Sequence, residues 1–109
     1  MENLKLTSEQ IHSQLKLLPD WADIDELKIN KTFKFTNFVE ALSFINQVGS
    51  LAETAKHHPD IHVYYNQVVF ELWTHDVQGL SDKDFDLAIK IEELYTNFIA
   101  EEKTLETDY

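Results

Sequence analysis

The chain has no cysteine, and only two glycines and two prolines among its 109 residues. Without cysteine no disulfide holds the fold together, and a chain of this length builds one hydrophobic core without disulfide or metal staples. The missing thiols fit a reducing cytoplasm, which is the expected location. So little glycine and proline argues against a disordered or loop-dominated protein. Basic residues are scarce as well: 9 against 20 acids, a formal net charge of -11. A surface that negative repels phosphate backbones, and no basic patch offsets it, so direct nucleic-acid binding is not expected. Nowhere do the apolar residues run long enough to span a membrane. The opening MENLKLTSEQ has no basic segment leading into an apolar one, so no signal peptide is expected. No fixed-period repeat or low-complexity linker appears. The sequence reads as one domain over residues 1–100 and an acidic tail, 101–109, expected to fray.

What is present centres on ETAKHHPDIHVYYNQVVFELWTHDVQGLSDKD, from Glu53 to Asp84, which contains His57, His58 and His75. Ile61–Tyr65 and Val68–Thr74 are rich in β-branched and aromatic residues, and Asn66-Gln67 between them suits a two-residue hairpin turn. That turn sets Tyr65 opposite Val68, Val63 opposite Phe70 and Ile61 opposite Leu72. The same count sets His58 opposite His75 and Asp60 opposite Trp73. Pro59 cannot donate to the ladder and is expected to end the pairing there.

The rest of the chain alternates helices and hairpins. Thr7 and Gln10 make a capping-box pattern at the start of a helix over 7–17, which Pro19 stops. A short strand, Trp21–Ile24, turns at Asp25-Glu26 into a second, Leu27–Phe35. Pairing Ile24 with Leu27 and Ala22 with Ile29 joins their apolar residues and leaves Trp21 on the opposite face. Lys31 interrupts the apolar side of the second strand. Asn37 and Glu40 open a second helix whose stripe is Phe38, Ala41, Leu42, Ile45, Val48, Leu51, Ala52 and Ala55. Gly49 inside it suggests close packing against the sheet, and Pro59 forces the helix to end near Lys56–His57. Ser81 and Asp84 cap a third helix bearing Phe85, Ala88, Ile91, Tyr95 and Phe98. The expected fold is therefore α+β: a four-stranded antiparallel sheet with three helices on one face, in the order α-β-β-α-β-β-α.

His57 falls at the C-terminal end of the second helix, where the helix dipole favours positive charge, and Glu53 stands one turn earlier on the same side. His58 faces His75. Two imidazoles in one pocket with different surroundings suit an acid and a base working near neutral pH. Trp21 and Trp73, if both line that face, give a flat ring something to stack on. Zinc is disfavoured, because adjacent histidines chelate poorly and His58 and His62 sit on a strand. His12 and His62 read as ordinary surface residues.

The run H-H-P-D-I, then V-x-x-x-L-x-T-H-D and G-L-S-D-K-D, resembles the pterin-4a-carbinolamine dehydratase family. LLPDW (Leu17–Trp21) and F-K-F-x-x-F (Phe33–Phe38) extend the likeness over most of the chain. The resemblance implies a hydro-lyase of the 4a-hydroxytetrahydrobiopterin dehydratase type, which removes water from 4a-hydroxytetrahydropterin to give quinonoid dihydropterin for recycling. Such a reaction needs no metal, nucleotide or other cofactor. His57, His58 and His75 match the family's three histidines; His57 and His75 would share the acid and base roles while His58 orients the pterin. Glu53, Asp76 and Asp84 match its acidic positions and would hold the pterin or orient an imidazole. Ile61 stands where some members have tryptophan, and Lys56 where the position is often polar or acidic. The resemblance also implies a homodimer through sheet edges or a homotetramer through helices. Some members stabilise dimers of a homeodomain transcription factor, so an interaction module is the alternative function.

Overall fold

The computed structural model describes residues 4–107, with side chains described through Glu101. It contains α1 (Ser8–Leu15), β1 (Ala22–Ile24), β2 (Lys28–Lys34), α2 (Phe38–Ala55), β3 (Asp60–Tyr64), β4 (Gln67–Leu72) and α3 (Asp82–Thr107), with a 3-10 turn at His75–Val77. The strands form one antiparallel sheet in the order β1-β2-β4-β3. This is the α+β order expected from the sequence.

The helix starts follow from their caps. Thr7 accepts the Gln10 N–H while the Gln10 side chain accepts the Thr7 N–H at 2.8 Å, a complete capping box. Asn37 accepts the Glu40 N–H at 2.9 Å, but Glu40 reaches back to the Thr36 N–H rather than that of Asn37. The stripe that α2 buries differs from the expected one. Ala41, Phe44, Val48 and Ala52 face inward, whereas Phe38 and Leu42 are exposed. Phe44 decides the rotation: its ring meets Phe33, Phe35, Phe70, Tyr95 and Phe98 at centroid distances of 5.2–5.9 Å. Gly49 does not pack against the sheet. A Cβ there would meet no atom within 4 Å.

Both hairpins differ in register from the sequence reading. β3 and β4 pair Ile61 with Phe70 and Val63 with Val68, so the two turn residues are Tyr65-Asn66. Tyr65 takes the left-handed backbone (φ 55°), and Asn66 clamps β2 by exchanging bonds with Phe35. A slip of two residues keeps every side chain on its face, so apolar pattern alone could not choose between the registers. In the first hairpin Ile24 pairs with Lys28, leaving a loop of Asp25, Glu26 and Leu27. Asp25 and Glu26 are both left-handed, and Asp23 accepts the Glu26 N–H at 2.8 Å, which holds the wider loop.

The sheet's inner face carries Ile29, Phe33, Val68, Phe70 and Leu72, all buried against the helices. Lys31 also points inward and is satisfied by an ion pair with Glu92 of α3, its ammonium 4.6 Å from the Phe33 ring centroid. Glu92 accepts from Trp21 Nε1 at 2.9 Å as well. α3 runs as far as Thr107. Among the described residues no helix is long and apolar enough to cross a membrane.

Candidate active site

The site is built where α2 ends. Lys56 adopts the left-handed conformation (φ 54°, ψ 39°), and its N–H and that of His57 return to Glu53 and Ala52 in the Schellman pattern. This reversal sends the two neighbouring histidines to different partners. His57 turns inward, 9% exposed, and its Nε2 donates to Asp84 Oδ1 at 2.6 Å. His58 turns outward, and its Nε2 donates to Glu53 Oε2 at 2.6 Å. Glu53 therefore partners His58, not His57 as its place on the helix suggested. The helix stops before the one-turn relationship can form.

Asp84 is wholly buried and fully bonded. Its Oδ2 accepts from Thr74 Oγ1 at 2.7 Å and from the Ser81 N–H at 3.0 Å. The carboxylate thus accepts the Ser81 N–H at the start of α3 and holds His57 at the same time. Thr74 and Ser81 also share a 2.7 Å hydroxyl–hydroxyl bond. A buried carboxylate with this many donors is fixed in place, and so is the ring it accepts from. With Nε2 committed to Asp84, Nδ1 remains as the His57 nitrogen free to exchange a proton.

His75 begins the 3-10 turn, in a loop closed by Thr74 and Gly79, whose backbones bond at 2.8 Å. Its ring stacks on Trp73, with centroids 3.8 Å apart and planes 31° from parallel. Trp73 is anchored through Nε1 to Asp60 Oδ2 at 3.2 Å, and Lys28 lies 5.0 Å from its ring centroid. The backbone ladder begins only at Asp60, immediately after Pro59, so His58 and His75 are not ladder partners. Both nonetheless line the same cleft. A cleft of about 290 Å³ is lined by Lys56, His57, His58, Thr74, His75, Asp76 and Lys83.

The cleft thus contains all three sequence-selected histidines and Asp76; Asp84 and Glu53 bond to two of the rings, and Trp73 stacks on the third. Trp21 is not there. It is 5% exposed in the core, edge-on to Phe33 at 6.1 Å. Immediately before β1, its ring turns to the inner face, where Glu92 offers the indole an acceptor. Sequence reasoning did not select Thr74, Ser81, Lys56 or Lys83 as site residues. The first two were legible only as parts of the T-H-D and G-L-S-x-x-D motifs. Among the described residues, the group whose ligand atoms come within 4.8 Å of one another, as a metal site needs, is His12, Asp23 and Glu26 on α1 and the first hairpin. It lies apart from the three histidines and is engaged in its own ion pair and turn bonds.

Comparison with known proteins identifies the family. Residues 4–94 match the family described as pterin 4 alpha carbinolamine dehydratase. A Picosynechococcus sp. protein named "Putative pterin-4-alpha-carbinolamine dehydratase" is 48% identical over 90 residues, 83% of this chain and 97% of its own length. A Sulfurisphaera tokodaii protein of the same name is 44% identical over 92 residues, covering 84% and 98%. The crystal structure of a transcriptional coactivator/pterin dehydratase from Brucella melitensis superposes with a TM-score of 0.80 at 32% identity, over 84% of this chain and 98% of that one. A pterin dehydratase-like RuBisCO assembly factor of the alpha-carboxysome shares the fold, with a TM-score of 0.60 at 19% identity. With motif, fold and whole-length relatives in agreement, this chain belongs to the pterin 4 alpha carbinolamine dehydratase family.

Proposed function

We propose that the protein dehydrates a 4a-hydroxytetrahydropterin to the quinonoid dihydropterin by histidine acid–base catalysis, in tetrahydropterin recycling. The observation that carries this reading is the single cleft lined by His57, His58 and His75, with one ring held on a buried carboxylate and another stacked on an indole. Loss of water requires an acid that protonates the departing C4a hydroxyl and a base that accepts the ring N–H proton as the C=N bond forms. His57 and His75 take these two roles. Asp84 positions His57, and the Trp73 face positions His75. His58, tied to Glu53 at the mouth, orients the pterin, and Asp76 offers an acceptor for its amino-pyrimidine edge.

Purified protein added to chemically generated 4a-carbinolamine is expected to speed formation of the quinonoid product. A rate equal to that of buffer overturns the reading.

A second, compatible reading is an interaction module for a partner protein, and one observation favours it. Phe38, Val39 and Leu42 stand 45%, 74% and 40% exposed on one side of α2. Phe38→Ser with Leu42→Ser is expected to abolish partner capture and leave dehydration intact; loss of both together contradicts a separate module. Self-association fits as well, since β3 is an exposed edge strand with unpaired backbone groups. Light scattering is expected to give a homodimer or homotetramer.

A further inference from the structure

We propose that the pterin carries an anionic side-chain terminus, a phosphate or a carboxylate, and that Lys83 and Lys90 hold it. This rests on the dehydration reading and narrows its substrate class. Beside the histidine cleft lies a second hollow of about 180 Å³, lined by Ala55, His57, Lys83, Asp86, Leu87 and Lys90. The two share His57 and Lys83, so a ring against the histidines can extend a substituent into the hollow. Lys83, Leu87 and Lys90 recur at helical spacing on α3, and this aligns both ammonium groups with one wall.

The charge balance of this region departs from that of the chain. Lys56, Lys83 and Lys90 line the cleft and the hollow, and among the described residues no carboxylate lies within ion-pair distance of any of them. Lys28 and Lys31, by contrast, are paired. Two of the nearby carboxylates are already engaged, Asp84 by His57, Thr74 and Ser81, and Glu53 by His58. In the lining of the hollow itself two ammonium groups, Lys83 and Lys90, face one carboxylate, Asp86. A locally positive recess on a chain of net charge -11 concentrates an anion that the rest of the surface repels. Lysine is a point-charge binder of phosphate and carboxylate oxygens. Ala55 and Leu87 give the intervening stem an apolar wall.

The test is equilibrium titration of the full chain, followed by pterin fluorescence, with three probes: 6-hydroxymethylpterin, its phosphate ester and pterin-6-carboxylate. At low salt an anionic probe is expected to bind about tenfold tighter than the neutral one, and the advantage should shrink as salt screens it. A tighter phosphate ester identifies phosphate as the terminus, and a tighter carboxylate identifies the acid. Lys90→Gln is expected to remove about fivefold of that preference, whereas Lys16→Gln, the same charge change at the exposed end of α1, leaves it intact. Equal affinity for all three probes in a protein that dehydrates the carbinolamine overturns this inference alone. No binding of any probe overturns this inference too, while the carbinolamine rate alone decides the dehydration reading.

Discussion

Asp84 Oδ1 lies 2.6 Å from His57 Nε2, and the other oxygen of the same carboxylate accepts the N–H that opens α3. One buried side chain therefore starts a helix and sets the orientation of a ring in the cleft.

Replacing Asp84 separates these two functions. In Asp84→Asn the amide oxygen can still accept from Thr74 and Ser81, but its NH2 now faces His57 and moves that ring's proton to Nδ1. Stability should fall by about 1–3 kcal/mol in urea denaturation. kcat should fall about 10²–10³-fold with KM nearly unchanged. A variant equally unstable but fully active would make Asp84 a cap and nothing more.

Backbone strain at the end of α2 is also measurable. Lys56 holds a left-handed conformation that glycine adopts freely. Lys56→Gly should stabilise the protein by about 1 kcal/mol in thermal or urea melts. Gly49→Ala, with open space where its Cβ would stand, should add about 0.5–1 kcal/mol.

The Lys31–Glu92 pair is the polar contact within the apolar core. The two side chains are only 15% and 28% exposed, and Glu92 also accepts from Trp21. Glu92→Leu leaves the Trp21 indole without its acceptor and Lys31 with only the longer ion pair to Asp20 at 3.9 Å, and should cost about 2–4 kcal/mol. Adding Lys31→Met should recover part of that loss. A double-mutant cycle that is additive to within about 0.5 kcal/mol would show the pair to be uncoupled.

Alkaline pH should weaken the fold through Tyr95. Burial, and then the negative charge of Glu92, raise its phenol above the ordinary tyrosine range. Its hydroxyl donates to the Lys34 carbonyl at 2.9 Å. The folded pKa exceeds the unfolded one, so the neutral form contributes stability that is complete below about pH 10 and is lost as pH rises through the folded value. Denaturation followed from pH 8.5 to 11 should show a smaller alkaline loss in Tyr95→Phe than in the wild type.

Much of this architecture was legible in the chain. Thr7-Gln10, Asn37-Glu40 and Ser81-Asp84 marked three helix starts because a short polar side chain at that place satisfies N–H groups that nothing else can. The sequence put the three histidines together, and they do line one cleft, although not through the expected cross-strand pairing. A slip of two residues was invisible to apolar alternation and was settled by Tyr65 and Asn66 at the turn. Glu53 was assigned to the wrong ring because helical spacing continues on paper past Lys56, where the left-handed residue ends it. Trp21 was set on the wrong face, and Phe44 was left out of the α2 stripe, for a common reason. Their burial depends on partners far away in sequence, Glu92 for one and the Phe33–Tyr95–Phe98 cluster for the other.

The central claim is that the rings lining one cleft carry out proton transfer during water loss. The most direct test follows quinonoid dihydropterin formation from 4a-carbinolamine with the wild-type protein and with His57→Ala, His58→Ala and His75→Ala, each confirmed as folded. The account predicts acceleration by the wild type and a loss of about 10²–10⁴-fold in kcat for His57→Ala and His75→Ala. For His58→Ala it predicts a change mainly in KM. Undiminished rates in all three variants would contradict it.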